Sequence, residues 1–267
     1  MKKRVRVAAH MGCFGGNIPG NTMASAELAL RSGADIIELD VTMSADGQLF
    51  VFHPHLEWRF LNRNIDIQTM MARDVEKLRF VNLQGTETGH TVCYLKDMLA
   101  FLKDRCVINI DKFGDHPAEI AGVVRDLRMQ DQVIVKSPGR QEHFDMIAET
   151  ASDLPYIPVL ADRDEVSDYL GTCRNIRFAG VEAVWSQDDA PIAQDEYIAK
   201  IHGMGKYIWV NSIVFDDNCQ LVGGHSDDVS LLDDADRGWG WLARKQFDII
   251  QTDWPLQLST YLRMLGH

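Results

Sequence analysis

Two carboxylic acids interrupt an otherwise apolar run in this sequence, Ile36-Ile37-Glu38-Leu39-Asp40-Val41. Aliphatic and β-branched residues at this density predict a buried strand, and the i, i+2 spacing puts Glu38 and Asp40 on one face of it. Two buried negative charges side by side are costly unless a positive charge offsets them. Carboxylate oxygens are the ligands that Mg²⁺ and Ca²⁺ prefer, so the pattern indicates a divalent metal site. A pair of exposed carboxylates on an edge strand is the alternative.

A second strand-like segment, Gln48–His53, follows closely after Asp46-Gly47, a dipeptide typical of tight hairpin turns. A two-residue turn at this dipeptide would set Asp40 opposite His53. Directly opposed residues project from the same face of a hairpin, close enough to touch. The sequence therefore predicts His53 beside the Asp40 carboxylate, and a register slip of one residue would break that pairing.

Polar residues also end other apolar segments. His10 directly follows the first such segment, and Asp111 ends another. Catalytic side chains of parallel barrels lie at the carboxyl ends of the strands, so these positions favour a shared site. Histidine is the side chain type that ordinarily titrates near neutral pH, so His10 and His53 are candidates for general acid–base catalysis. For His10 alone, a strand-end cap or a surface group is the alternative.

The elements that would position these residues follow a regular alternation. Eight strands separated by helices, with one hairpin return after the second strand, predict a TIM (β/α)8 barrel with a small hairpin insertion, as one domain over residues 1–267. An open doubly wound sheet is the alternative, but no G-x-G-x-x-G follows the first strand. The predicted strands are Arg4–Ala9, Asp35–Thr42, Gln48–His53, Cys106–Asp111, Gln132–Lys136, Tyr156–Leu160, Val181–Trp185, Lys206–Asn211 and Phe247–Thr252. The predicted helices include Ala24–Ser32, Ala118–Arg128, His143–Thr150 and Ile192–Gly203.

Composition narrows the class of partner. With 27 Lys and Arg against 39 Asp and Glu, the net charge is −12, which disfavours nucleic acid as a partner. The five cysteines are scattered and suggest reduced thiols in a cytoplasmic protein. No apolar run is long enough to predict a membrane span. The acidic segment Asp216–Asp236 is expected to form an elaborated loop at the barrel mouth, with the acidic run around Asp227-Asp228 and Asp233-Asp234 solvated. The oligomeric state is left open.

These residues resemble the glycerophosphodiester phosphodiesterase family within the PLC-like phosphodiesterase barrels. The resemblance extends over essentially the whole chain and is most specific between Gly33 and His53. The matching motifs are Ala9-His10-Met11-Gly12, Asn21-Thr22, Gly33-Ala34-Asp35-Ile36-Ile37-Glu38-Leu39-Asp40-Val41, Ala45-Asp46-Gly47-Gln48-Leu49-Phe50-Val51-Phe52-His53, Val107-Ile108-Asn109-Ile110-Asp111, Tyr207-Ile208-Trp209-Val210-Asn211 and Ile249-Ile250-Gln251-Thr252-Asp253-Trp254-Pro255.

The resemblance implies a metal-dependent hydrolase that cleaves a glycerophosphodiester-like small molecule to an alcohol and glycerol phosphate. By that resemblance Glu38, Asp40 and Asp111 would bind Mg²⁺ or Ca²⁺, and His10 and His53 would form the acid–base pair. Two alternatives remain. One is a catalytically silent barrel that binds phosphorylated polyols, and the other is a lipid-headgroup phosphodiesterase or a lyase that forms cyclic phosphates.

The chain departs from the family pattern on the phosphate side. Met11 occupies the place of the family's arginine, and Phe113 occupies that of its lysine. Lys136, at the end of the next strand, is the preferred phosphate anchor, and Lys112 is the second candidate. Trp209 is a candidate for a wall of the substrate pocket, and a tryptophan of the core is the alternative.

Overall fold

Eight parallel strands close on one another in the computed structural model, which describes residues 4–216 and 219–267. The first strand pairs with both the second and the last, which closes the sheet. All eight are strands that the sequence predicted, so the TIM-barrel prediction is confirmed. They are β1 (Arg6–Ala9), β2 (Ile36–Met43), β3 (Val107–Asp111), β4 (Val133–Pro138), β5 (Tyr156–Ala161), β6 (Gly180–Val184), β7 (Tyr207–Asn211) and β8 (Ile249–Thr252).

Helices cover the outside of the barrel and bury one apolar stripe each against the strands. The first begins at a capping box, in which the side chains of Thr22 and Ser25 satisfy the free backbone N–H groups of the first turn. None of the described helices is long and apolar enough to cross a bilayer. The main outer helices are Met23–Arg31, Leu95–Leu102, Pro117–Asp126, Gln141–Thr150, Ser167–Thr172, Asp195–Gly203, Trp239–Arg244 and Pro255–Met264, and three 3₁₀ turns cover Ile67–Thr69, Phe113–Asp115 and Pro191–Ala193.

An apolar layer closes the interior of the barrel near the amino ends of its strands. Ile36 belongs to this layer, together with Trp209 and Ile249. Side chains alternate along a strand, so Glu38 and Asp40 follow Ile36 on the same inward face of β2. The carboxylates therefore lie above an apolar floor, toward the carboxyl ends of the strands.

The predicted hairpin after β2 forms, but its predicted register is wrong by one residue. Leu49–Val51 pairs with the end of β2, with Val41 opposite Val51. The loop has three residues rather than two, because Gly47 adopts a left-handed φ of +80° and its N–H donates to the Ser44 carbonyl. Phe52, not His53, therefore lies opposite Asp40, through a backbone hydrogen bond of 3.0 Å.

The insertion that begins with this hairpin is larger than the sequence predicted. It has its own apolar cluster around Phe50, Phe52 and Phe80. Asn82, at the tip of its second hairpin, donates to Asn17 in the loop after β1 at 2.9 Å, so the insertion contacts the barrel mouth. Its remaining elements are Glu57–Phe60, Ala72–Val75, Arg79–Val81, Glu87–Thr91 and Cys93–Tyr94.

The acidic segment after β7 is ordered around one buried carboxylate. It contains two short strands, Val214–Asp216 and Cys219–Gln220, and the helix Asp227–Leu232, while Asp217 and Asn218 lie outside the described residues. The expectation that Asp227 is solvated is wrong. Its carboxylate is buried, and hydrogen bonds donated by Ser212, Trp239, Thr252 and the backbone N–H of Asp253 offset the cost of that burial.

Candidate active site

Three carboxylates meet at the carboxyl ends of β2 and β3. Glu38, Asp40 and Asp111 each offer an oxygen that lies within 4.8 Å of the other two. The strands are neighbours in the barrel, and Asp40 is directly opposite Asp111 in their register. Glu38 and Asp40 are almost completely buried, whereas the side chain of Asp111 is 42% exposed. The grouping that the family resemblance implied is therefore present in the fold.

The charge of this cluster is poorly offset by the protein itself. Burial and the nearby Asp40 carboxylate raise the pKa of Glu38 to about 8. Burial and the Asp111 carboxylate raise the pKa of Asp40 as well. Burial also acts to raise the pKa of Asp111, but the adjacent Lys112 ammonium outweighs it and the pKa lies below its ordinary value. Three converging oxygen ligands with unbalanced negative charge fit a divalent cation.

Two loop residues hold two of these carboxylates in place. The backbone N–H of Met11 donates to Glu38 Oε2 at 2.8 Å, and the Asn21 amide donates to Asp40 Oδ2 at 2.8 Å. Both residues have left-handed backbone conformations, with φ of +51° and +58°. Gly12 has to be glycine, since a Cβ there would approach the Ser25 backbone to 2.7 Å. Contacts of this kind fix the orientation of metal ligands.

His10 lies beside the cluster and is held by a residue that the sequence analysis did not assign to the site. Its Nδ1 is 2.8 Å from Asp253 Oδ1, at the end of β8. Burial acts to lower the pKa of His10, but the hydrogen bond to Asp253 and the charge of Glu38 outweigh it and raise that pKa to about 9. Asp253 is 243 residues away in the chain, and its strand-end position was the only signal in the sequence.

His53 lies beside Asp40, as predicted, although the register used to predict it was wrong. Its Nε2 is 3.9 Å from Asp40 Oδ1, and the side chain is 28% exposed. The paired strand ends at Val51, so the chain bends there and brings His53 back over the carboxylate. Its Nδ1 lies 2.9 Å from the Pro54 carbonyl, which can only accept, so Nδ1 is the donor there and Nε2 is the ring nitrogen that faces Asp40.

Lys136 reaches into the barrel and meets a partner that the sequence analysis missed. Its Nζ lies 2.7 Å from Glu182 Oε2 and 3.2 Å from the ring centroid of Trp209. Burial lowers the pKa of Lys136 despite the nearby carboxylates. Trp209 is fully buried, and its Nε1 donates to Gln251 at 3.2 Å, so it forms part of the floor rather than an exposed wall.

Lys112 turns back toward the site because β3 ends immediately before it. Its backbone is left-handed, with φ of +59°, and its Nζ lies 2.6 Å from Asp111 Oδ2. The side chain is 33% exposed, so its ammonium is at the rim of the cluster. Phe113 is fully buried in the outer core and does not face the site.

The chain is similar in sequence to known phosphodiesterases over about half its length. It is 30% identical to a glycerophosphodiester phosphodiesterase of Bacillus altitudinis over 141 residues, which cover 49% of this chain and 57% of that relative. Residues 155–262 match the family model DUF4996, described as a domain of unknown function. The chain thus spans little more than half the length of the curated relative.

Similarity in fold extends over the whole chain. A glycerophosphoryl diester phosphodiesterase from Parabacteroides distasonis superposes with a TM-score of 0.79 at 16% identity, covering 99% of this chain and 88% of that one. A phosphodiesterase from Oleispira antarctica, solved in complex with the product sn-glycerol-3-phosphate, superposes with a TM-score of 0.70 at 17% identity and covers 97% and 96%. These neighbours confirm the barrel fold, while the similarity in sequence to glycerophosphodiester phosphodiesterases rests on relatives such as that of Bacillus altitudinis.

Proposed function

We propose that this chain, a relative of the glycerophosphodiester phosphodiesterase family, hydrolyses a glycerophosphodiester-like small molecule with the help of a divalent cation. The observation that carries the proposal is the grouping of three carboxylates with two histidines at the barrel mouth. The products are an alcohol and glycerol phosphate. The domain comprises residues 1–267, and a cytoplasmic location remains a prediction.

Glu38, Asp40 and Asp111 would hold the cation, Mg²⁺ or Ca²⁺, since all three offer hard oxygen ligands. When bound, the cation would offset negative charge on the phosphoryl oxygens and so favour attack at phosphorus. Met11 and Asn21 keep two of these carboxylates oriented through their hydrogen bonds. The chain's own contribution is therefore to fix the oxygen ligands before substrate arrives.

The two histidines have different partners, which favours different roles. His53 presents an Nε2 lone pair, so it acts as the general base that takes the proton of the attacking hydroxyl. His10 is hydrogen-bonded to the Asp253 carboxylate, which stabilises the protonated ring. His10 therefore acts as the general acid that protonates the departing alkoxide. The attacking hydroxyl belongs to water or to the glycerol of the substrate.

Leaving groups of different basicity test these roles. A p-nitrophenolate leaves without protonation, whereas an alkoxide does not. His10→Ala should lose about 10²–10⁴-fold in kcat on an alkyl phosphodiester and much less on bis(p-nitrophenyl) phosphate, while His53→Ala should lose about as much on both. Equal losses for His10→Ala on both substrates would remove it from the acid role. The exposed His55→Ala is the matched control, with no loss on either.

Turnover tests the function as a whole. Purified protein is mixed with a panel of glycerophosphodiesters, with added Mg²⁺ or Ca²⁺ or with EDTA, and the products are followed by ³¹P NMR. We expect a phosphomonoester in the presence of the cation and none with EDTA. A transient cyclic phosphate would identify the glycerol hydroxyl as the nucleophile. Metal binding without any turnover would instead support the alternative of a catalytically silent barrel that binds phosphorylated polyols. Met11 and Phe113 favour that alternative, because they replace charged residues of the family pattern.

A further inference from the structure

His10 is held on two sides by consecutive residues at the end of β8. Its backbone N–H donates to the Thr252 carbonyl at 3.1 Å, and its Nδ1 lies 2.8 Å from Asp253 Oδ1. Thr252 is the last residue of β8, so Asp253 lies beyond the pairing of the parallel strands. The backbone of Asp253 therefore needs another partner if its side chain is to keep one direction.

The carboxylate of Asp227 supplies that partner. Its Oδ2 accepts the backbone N–H of Asp253 at 3.0 Å, and its Oδ1 accepts the Thr252 hydroxyl at 2.8 Å. The Thr252 hydroxyl in turn accepts the backbone N–H of Trp254 at 2.9 Å. One side chain thus fixes both residues that hold His10, since it bonds Thr252 through the hydroxyl and Asp253 through the backbone.

Asp227 is itself fixed by groups outside β8. Its backbone N–H donates to the carbonyl of Ser212, the residue that follows β7, at 2.7 Å. Its Oδ1 also accepts the Ser212 hydroxyl at 2.6 Å and Trp239 Nε1 at 2.7 Å. Because these groups belong to the end of β7 and to the start of an outer helix, the Asp227 carboxylate has a fixed position relative to the end of β8.

The burial of Asp227 is costly, which argues that its carboxylate has a specific role. Asp227 is 2% exposed, and burial raises the pKa of its carboxylate above the ordinary value although the hydrogen bonds oppose that shift. An apolar side chain would fill the same space without this cost. It would accept no hydrogen bond, however, and the bonds lost would include both that reach the residues holding His10.

We infer that Asp227 is a positioning residue for the proposed general acid, because its carboxylate fixes the backbone at Asp253 and thereby the direction in which Asp253 holds the His10 ring. This inference rests on the proposed function for the acid role of His10 and adds the residue that orients it. With Nδ1 bonded to Asp253, Nε2 is the ring nitrogen left to donate a proton to the departing alkoxide. Asp227 acts through the end of β8 and does not touch the reacting atoms.

Asp227→Asn tests this inference, since it keeps the shape of the side chain but replaces one acceptor oxygen with an amide N–H₂ group. We expect kcat to fall about 10–100-fold on an alkyl phosphodiester and much less on bis(p-nitrophenyl) phosphate, with KM little changed. The matched control is Asp228→Asn, at the exposed next residue of the same helical turn, which should leave both rates unchanged. Equal losses on the two substrates, or no loss on either, would overturn the inference.

A measurement without turnover separates failure of this inference from failure of the proposed function. ¹H–¹⁵N spectra of histidine-labelled protein in EDTA report the Nδ1 proton of His10, which is assigned by its absence in His10→Ala. A hydrogen bond to a carboxylate moves this resonance downfield, so we expect it downfield in wild type and Asp228→Asn, and shifted upfield or lost to exchange in Asp227→Asn. That result in a protein that hydrolyses no diester would contradict the proposed function and support the positioning of His10. An unchanged resonance in Asp227→Asn would overturn the inference.

Thr252→Val is the second variant, which decides the question if Asp227→Asn shows no unfolding transition. It removes the hydroxyl that bonds to Asp227 and keeps the β-branched shape that suits a strand. We expect the rate on the alkyl phosphodiester to fall about fivefold relative to that on bis(p-nitrophenyl) phosphate. Thr252→Ser, which keeps the hydroxyl, should restore the wild-type ratio of the two rates. A wild-type ratio in Thr252→Val would overturn the inference.

Discussion

The two sides of the barrel interior both contain buried charges, but only one side is balanced. On β2 and β3, Glu38, Asp40 and Asp111 meet with Lys112 as their nearest ammonium. On β4 and β6, Lys136 and Glu182 form a close ion pair beneath the site. An unbalanced cluster needs a ligand of opposite charge, whereas a balanced pair supports the wall around it. The comparison indicates where the cation would bind.

The same comparison bears on the phosphate anchor. Lys136, which the sequence favoured, has its ammonium between a carboxylate and the Trp209 ring. Lys112 is partly exposed at the rim of the carboxylate cluster. We therefore now prefer Lys112 for contact with the phosphoryl oxygens, with Lys136 shaping the floor. The family's arginine and lysine positions, Met11 and Phe113, contribute no charge.

The largest expected effect is a loss of stability when the ion pair between Lys136 and Glu182 is broken. Lys136→Met would leave Glu182 as a buried charge without its partner, so the free energy of unfolding should fall by about 3–5 kcal/mol. The double variant Lys136→Met/Glu182→Leu should regain most of that loss. Urea denaturation in EDTA measures all three proteins. If Lys136→Met is as stable as wild type, the ion pair between Lys136 and Glu182 does not stabilise the fold.

On the side with the unbalanced carboxylates, a substitution that removes a charge is expected to raise the free energy of unfolding. Because the folded protein raises the pKa of Glu38 from 4.5 to about 8, the folded state retains a proton that the unfolded state has lost, so stability falls as pH rises between these two values and levels off above the higher one. Glu38→Gln should therefore be more stable than wild type by about 1–4 kcal/mol at pH 9 in EDTA, with a smaller advantage at pH 6 and little change at pH 4. A loss of stability at pH 9 would contradict the account of unbalanced charge.

A smaller effect, on KM, distinguishes Lys112 from Lys136 as the phosphate anchor. Lys112→Ala should raise KM about tenfold with little change in kcat, because a charge-assisted hydrogen bond to phosphate contributes on that scale. The matched control is Lys77→Ala, at an exposed lysine of the insertion that forms an ion pair with Asp74. If KM is unchanged in Lys112→Ala but raised in the stable double variant of Lys136 and Glu182, the anchor is Lys136.

A further effect concerns the dependence of metal affinity on pH. Below pH 8 a cation has to displace the proton that Glu38 retains, so affinity should rise with pH from 6 to 8 by at most about tenfold per unit and then level off. Calorimetry in buffers of different ionisation enthalpy should show proton release on binding at pH 7. Binding without proton release would show that Glu38 is already ionised.

Local sequence patterns located the strands but not every register. The eight barrel strands and the positions of Glu38 and Asp40 were predictable, because β-branched runs and period-two alternation are local properties. The hairpin register was not, since Asp46-Gly47 fits both a two-residue turn and the three-residue loop that Gly47 actually makes. The bend after Val51 that still brings His53 to Asp40 depends on how the insertion packs.

Contacts between distant residues were beyond sequence reasoning. Asp253 reaches His10 only because β8 and β1 are neighbours in the closed barrel. Glu182 meets Lys136 across the interior, and Asp227 is buried although its neighbours in the chain are acidic. Each of these depends on which strands and loops become adjacent on closure, and periodicity does not encode that.

Calorimetric titration of wild-type protein and Glu38→Gln with Mg²⁺ and Ca²⁺ at pH 8 tests the central claim most directly. The account predicts one divalent ion bound per chain in wild-type protein, and binding weakened beyond detection in the variant, whose fold is shown intact by its unfolding transition. Wild-type protein that binds neither cation, or a variant that binds it equally well, would contradict the assignment of these carboxylates as the metal site.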